Sequence, residues 1–141
     1  MPVLVSTHPR TRKRLETLPD AAVSDLVRFH EPFGFLDYNR LQIDARCVLS
    51  DSGTIAEEST ILGFPAVTLR SSIERPEALD TGAITMTDLD PQAVPRGMRF
   101  AMGRRGAPER PADYRIGNTS ERVVNFILST AFQHEFWAGL R

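Results

Sequence analysis

Leu49-Ser50-Asp51-Ser52-Gly53-Thr54-Ile55-Ala56-Glu57-Glu58 is the stretch on which the fold is decided. The apolar run Arg46-Cys47-Val48-Leu49-Ser50 reads as a strand, Asp51-Ser52-Gly53-Thr54 as its exit turn, and Ile55 to Leu62 as a helix that begins at once. Gly63 stops that helix and Pro65 stands just beyond it. Towards the C-terminus, Ala66-Val67-Thr68-Leu69 is the next strand, followed by a helix near Arg75 to Leu79 and a strand at Ala83-Ile84-Thr85-Met86. Towards the N-terminus, Leu36 to Ala45 suggests a helix and Leu26-Val27-Arg28-Phe29 a strand running into the loop His30-Glu31-Pro32-Phe33-Gly34. Arg10 to Leu18 is a short polar helix, and Val3-Leu4-Val5 is a strand ending in Ser6-Thr7-His8-Pro9.

Alternation of short strands with helices predicts parallel α/β construction. The expected fold is a three-layer α/β/α arrangement on one parallel, Rossmann-like sheet, with strands near 3–6, 27–29, 47–50, 66–69 and 83–86. The strands are apolar almost throughout, as helices covering both faces of a sheet require. Strand-to-helix turns then lie at the carboxyl edge, where ligands bind in such folds. The later third is less regular. Pro95 to Pro111 carries Arg96, Arg99, Arg104, Arg105 and Arg110 among three glycines and three prolines, and its composition predicts a partly ordered, solvated connector, with phosphate binding as the alternative. Ser120 to Phe136 predicts a final helix, capped by Ser120, with Val123, Val124, Ile127, Leu128 and Ala131 on its apolar face.

With 141 residues the chain is long enough for one domain and one continuous core. Hydrophobic residues at 41% and charged residues at 25% fit an ordinary globular protein. A formal net charge of −1 offers no general electrostatic case for nucleic acid or an anionic membrane. The single cysteine, Cys47, excludes a disulfide within the chain, and its apolar neighbours predict a buried thiol that packs as a small hydrophobe. No apolar stretch reaches the roughly 18 residues a transmembrane helix needs. Met1-Pro2-Val3-Leu4-Val5-Ser6 lacks the basic leader and small-residue cleavage site of a signal peptide, so a cytoplasmic location is expected.

Chemistry gathers at the strand exits. The first amides of a helix have no intrahelical acceptor, so an anion can take them. Gly53 permits close approach of a diphosphate to the backbone, and Ser52 or Thr54 can add a hydroxyl donor. Equally, Ser52 or Thr54 can simply cap the helix, with Glu57 or Glu58 closing a capping box. Glu58 lies one turn into the helix, where a carboxylate can accept from both hydroxyls of a ribose. Glu57 points about 100° away and is expected to be solvated. Arg70-Ser71-Ser72-Ile73-Glu74-Arg75-Pro76-Glu77 follows another strand, making Arg70 and Arg75 candidates for phosphate contacts, with Pro76 as first helical residue. At the first exit, His8 and Arg10 face the same edge, where His8 is either structural or catalytic. Three histidines with no carboxylate or cysteine cluster at ligand spacing predict no metal site, and no nucleophile elbow or CxxC is present.

Asp51-Ser52-Gly53-Thr54-Ile55-Ala56-Glu57-Glu58, Leu62-Gly63-Phe64-Pro65 and Glu74-Arg75-Pro76-Glu77 together resemble the C-terminal domain of the non-hydrolysing UDP-N-acetylglucosamine 2-epimerases. The family's motifs read roughly DSGGxxEE, LGxP and ERPE, in this order and near this spacing. Ser6-Thr7-His8-Pro9-Arg10, Pro32-Phe33-Gly34-Phe35-Leu36-Asp37-Tyr38 and Thr54 in place of the second glycine look most like the branch making capsule and O-antigen precursors. The resemblance implies two similar domains in the glycosyltransferase-B arrangement, with the active site in the cleft between them and no added cofactor. By position, Ser52, Gly53 and Thr54 would meet the diphosphate, Glu58 the ribose, and Arg75 the nucleotide or the phosphate-side loop. The segment around Phe35 would border the uracil, and His8 and Arg10 would lie beside the cleft as catalytic candidates.

The resemblance also implies inversion at C2 of a UDP-sugar, by elimination of UDP and its readdition. The family's proton-transfer residues belong to an N-terminal domain that this sequence does not contain, and an earlier strand with an HRxE-like segment is likewise missing. The chain is therefore expected to be part of a UDP-binding domain, inactive alone, needing a missing or separately encoded N-terminal domain, with a homodimer possible for the full-length enzyme. Two other functions compete: a UDP-sugar glycosyltransferase of the same architecture, and a non-catalytic UDP-sugar-binding subunit. The ERPE segment and the SGTIxEE form favour the epimerase.

Overall fold

From Cys47 to Met86 strands and helices alternate as the sequence pattern requires, and a computed structural model describes residues 1–17, 23–106 and 109–140. The chain divides into two compact units, Met1–Arg46 and Cys47–Arg141. One continuous core was the expectation, and two units replace it.

In the second unit, strand β3 (Val48–Ser50) leads into helix α3 (Ile55–Leu62), and Gly63 ends that helix in the left-handed region at φ 80°. A residue with a Cβ pays steric strain there, so the glycine stop read from the sequence has a physical cause. Strand β4 (Ala66–Thr68) follows, then the single-turn helix α4 (Glu77–Asp80) and strand β5 (Ile84–Met86). The three strands form a parallel sheet in the order β3-β4-β5, so β4 is paired on both edges. Among the described strands it alone is buried at every residue. The core comprises Ile55, Ala56, Phe64, Ala66, Ala78, Ala83 and Ile84, with Val48, Ile73 and Leu79 packed against it. Pro76 precedes α4 rather than opening it: its carbonyl accepts from Leu79 and Asp80, so it is the capping residue. Cys47 is half-buried, and burial pushes its thiol pKa up, in keeping with a packing role.

The connector expected over 95–111 is a helix for half its length: α5 spans Ala93–Met102. Pro95 lies in its first turn, where a missing N–H costs nothing. Gly97 and Ala101, four apart, are buried. A Cβ at Gly97 would lie 2.5 Å from Thr87 Cγ2 and 3.4 Å from Thr85 Cγ2, so this glycine is where α5 approaches β5 closely. Arg104 folds back to Thr85 Oγ1 at 3.4 Å and over the Phe100 ring at 5.5 Å. Arg105 lies in the irregular stretch after the helix, and residues 107–108 of the expected connector lie outside the described residues.

The final helix is shorter than its apolar pattern predicts. Helix α6 (Thr119–Thr130) is followed by a 3-10 turn at Ala131–Gln133 and a last turn, α7 (His134–Trp137). Ser120 is not its cap: Asn118 holds that position without a side-chain bond, and Ser120 is the second helical residue. Val123, Val124, Ile127 and Leu128 are exposed, so the expected core face is unburied among the described residues.

In the first unit, strand β1 (Val3–Ser6) pairs in parallel with β2 (Val27–His30), Val3 opposite Val27. Helix α1 covers Pro9–Leu15, and Leu18, the expected helix end, lies outside the described residues. Helix α2 covers Phe35–Asp44, one residue earlier than the spacing suggested. The strands expected in one sheet thus bond as two, β1-β2 and β3-β4-β5. Only β4 matches the expectation of apolar strands covered on both faces; Leu4, for example, is 47% exposed.

Candidate functional site

The turn between β3 and α3 is laced by its own hydroxyls. Ser50 Oγ accepts from the Ser52 amide at 3.0 Å, and Ser52 Oγ accepts from the Thr54 amide at 3.3 Å. Ser52 Oγ and Thr54 Oγ1 are 2.9 Å apart, and Thr54 Oγ1 donates to Glu58 Oε1 at 2.7 Å. Thr54 occupies the N-cap position, yet its side chain makes no capping bond. The capping box is therefore not formed: Glu58 takes the Thr54 hydroxyl, and Glu57 turns elsewhere. Both glutamates sit in the first turn, where the helix dipole favours negative charge.

Two arginines converge on this turn. A Cβ built at Gly53 would lie 3.1 Å from Arg70 Nη1 and 3.5 Å from Arg75 Nη1. Each guanidinium is held by a carboxylate through another nitrogen. Arg70 Nη2 pairs with Glu74 Oε1 at 3.0 Å, and Arg75 Nε pairs with Glu57 Oε1 at 2.6 Å. Glu57 is therefore not solvated as its helical phase suggested; α3 packs against α4, and the residues just before α4 reach it. A turn narrowed at Gly53, two guanidinium groups whose Nη1 atoms face it and the start of a helix form a corner with donors for an anion, though Glu57, Glu58 and Glu74 Oε2, 4.0 Å from the same Cβ position, share it.

Behind this corner, Tyr114 donates its hydroxyl to Glu77 Oε1 at 2.7 Å. A backbone hydrogen bond first, and the Tyr114 hydroxyl second, hold the Glu77 carboxyl below the usual carboxylate range. Burial chiefly, and then Glu77, push the Tyr114 phenol pKa up. Sequence reasoning missed both Tyr114 and the Glu57–Arg75 pair, since no local pattern joins residues so far apart along the chain.

The remaining candidates belong to the first unit. His8 is the N-cap of α1, its Nδ1 accepting the Arg10 amide at 3.2 Å, which is the structural role weighed for it. Arg10 is exposed in the first turn of α1, and Phe35, 81% exposed, opens α2. The structure thus gathers Ser52, Gly53, Thr54, Glu58, Arg70 and Arg75 in one corner of the second unit. No group of three or more His, Cys, Asp or Glu side chains among the described residues is arranged to hold a metal ion.

The sequence profile of UDP-N-acetylglucosamine 2-epimerases matches residues 1–128. The chain belongs to the UDP-N-acetylglucosamine 2-epimerase family. It is 31% identical over 128 residues to the UDP-N-acetylglucosamine 2-epimerase of Methanocaldococcus jannaschii, a match covering 89% of this chain and 34% of that protein. The structure of the epimerase from Rickettsia bellii superposes with a TM-score of 0.83 at 35% identity, covering 95% of this chain and 38% of the other. The M. jannaschii epimerase in complex with UDP-GlcNAc and UDP superposes with a TM-score of 0.80 at 28% identity, covering 91% and 36%. The chain spans about a third of the length of these epimerases. Its parallel sheets flanked by helices are of the Rossmann-like, glycosyltransferase-B type found in the family.

Proposed function

We propose that the chain is part of the UDP-binding domain of a non-hydrolysing UDP-N-acetylglucosamine 2-epimerase, the corner around Gly53 being its diphosphate subsite. The observation that carries this reading is the convergence of Arg70 Nη1 and Arg75 Nη1 on the Gly53 turn at the start of α3. In the reaction, C2 loses a proton as the C1–O bond breaks, and the bonding pair leaves with UDP to give a 2-acetamidoglucal. UDP then returns to C1, and C2 regains a proton on its opposite face. Charge builds on the departing diphosphate, so the two guanidinium groups that face the Gly53 turn stabilise the step. Glu58, which already accepts a hydroxyl from Thr54, takes the ribose hydroxyls. Ser52, Gly53 and Thr54 meet the diphosphate, and the family resemblance assigns Phe35 to the uracil and His8 and Arg10 to the cleft side of the first unit.

The N-terminal domain that completes the site is the principal partner, and a homodimer is the expected assembly of the complete enzyme. Thr54, in place of a second glycine, supports a place in the capsule and O-antigen branch. No helix among the described residues is long and apolar enough to cross a membrane.

Titration calorimetry of the chain with UDP tests the subsite. Glu58→Ala is expected to weaken UDP by about one to two decades, since hydrogen bonds to a charged group contribute roughly 1.5–3 kcal/mol. A 2′,3′-dideoxy analogue has no hydroxyls for Glu58 and should lose far less. Equal losses for both ligands would remove Glu58 from the ribose, and no UDP binding by the folded chain would defeat the subsite.

A further inference from the structure

Glu57 is a carboxylate where an anion subsite should not want one. It lies in the first turn of α3, beside the corner proposed for a diphosphate, and at bare Coulombic level it repels such a ligand. Its geometry offers a reason for its presence. Oε1 takes the Arg75 Nε–H at 2.6 Å, which leaves both terminal nitrogens of the guanidinium unspent by this contact. One of them, Nη1, is the atom that lies over Gly53. Glu57 Oε2 is buried with no hydrogen-bond partner, so the whole carboxylate is turned inward to this one pairing.

Glu77 feels the Arg75 charge, but the direct carboxylate contact of Arg75 among the described residues is Glu57. Glu77 already accepts from Tyr114 at 2.7 Å and from a backbone amide. Arg70 offers an internal comparison. It shows the same arrangement, one nitrogen on a carboxylate and Nη1 over Gly53, but its partner Glu74 has 70% of its side chain exposed against 25% for Glu57. An exposed i,i+4 pair contributes little to holding a side chain in one place.

We propose that Glu57 is the positioning residue of the diphosphate subsite, fixing Arg75 by its Nε so that Nη1 faces the Gly53 turn. This rests on the diphosphate reading given above. It makes a prediction of opposite sign to simple electrostatics. Were Glu57 only a nearby charge, neutralising it would tighten a diphosphate; as the anchor of Arg75, its loss weakens one.

The test uses the chain with UDP and with uridine as calorimetric probes, and follows the Arg75 Nε–H by 15N NMR. Glu57→Ala is expected to weaken UDP about tenfold and leave uridine unchanged, while Glu57→Gln, which keeps the shape and an acceptor oxygen, loses only part of that. In both variants the Arg75 Nε–H should exchange with water faster. Arg75→Ala and the Glu57→Ala/Arg75→Ala pair should bind UDP alike, because the two residues act as one unit. Glu74→Gln and Tyr114→Phe should each weaken UDP less than Glu57→Ala. Tighter UDP binding by Glu57→Gln, additive losses in the double variant, or unchanged Nε–H exchange would each overturn the positioning role while leaving the subsite standing. Failure of the wild-type chain to bind UDP would instead overturn the subsite, and the role of Glu57 in it.

Discussion

The two units of this chain are built from the same parts and differ in what those parts bury. Each pairs parallel strands and joins them through helices. In Cys47–Arg141 that construction encloses Ile55, Val67 and Ile84. In Met1–Arg46 the fully buried residues among those described are Thr7 and Gln42, and Val3, Leu4 and Phe29 remain substantially exposed. The difference teaches that apolar strand sequence and parallel pairing are not sufficient for a core. β4 has a strand on either edge and helices packed against it, and β1 has one hydrogen-bonded neighbour. Burial drives folding in proportion to apolar area removed from water, so the two units should respond unequally to the same chemical insult.

The sharpest way to break the comparison is to truncate in the second core. Ile55 is 2% exposed at the start of α3, and Ile55→Ala should cost about 2–5 kcal/mol, through lost transfer energy and the cavity left behind. Urea unfolding followed at the amides of β4 would register it, and a change under about 1 kcal/mol would mean that this core is not the stabilising element. A middle-sized effect is expected from adding an atom. Gly97→Ala forces a methyl to within 2.5 Å of Thr87 Cγ2, so the Thr87 side chain must turn or α5 must move away, at a cost of about 1–3 kcal/mol. Chemical-shift changes confined to α5 and β5 would accompany it, and a neutral substitution would show that α5 does not press on the sheet. The smallest effect should come from Leu4→Ala in β1. Removing a side chain already half in water is expected to change stability by less than about 1 kcal/mol. A loss as large as that of Ile55→Ala would erase the contrast between the units.

Legibility from sequence followed the range of the interaction involved. Helix α3 was readable to the residue, because its turn, its apolar phase and its glycine stop are all local. Helix α5 was not, since Pro95, Gly97 and a run of arginines resemble a linker in composition. The pattern that reveals it is Ala93, Gly97 and Ala101 at four-residue spacing, a stripe of small residues that lets the helix lie close to β5. The division of five strands into two sheets was invisible, because hydrogen-bonding partners are chosen in three dimensions. At the candidate site, Ser52 to Thr54, Glu58, Arg70 and Arg75 were legible as residues at strand exits. The Glu57–Arg75 pairing was misjudged, because helical phase tells which way a side chain leaves its helix and not what waits there. The cap at Ser120 failed for a simpler reason: a serine one or two residues inside a helix start has the same local sequence as a true cap.

One feature of the strand register bears on how the second unit reaches its structure. Val48 lies opposite Ala66 and Ala66 opposite Ile84, so each strand begins eighteen residues after its neighbour. In the first unit Val3 lies opposite Val27, a separation of twenty-four. Loop-closure entropy grows only with the logarithm of length, so this difference amounts to about 0.3 kcal/mol. The two crossovers around β4 are therefore entropically equal steps, and neither is favoured as the first to close by chain length. What distinguishes them during folding is the surface that each closure hides, and β4, common to both, is the strand on which either order converges.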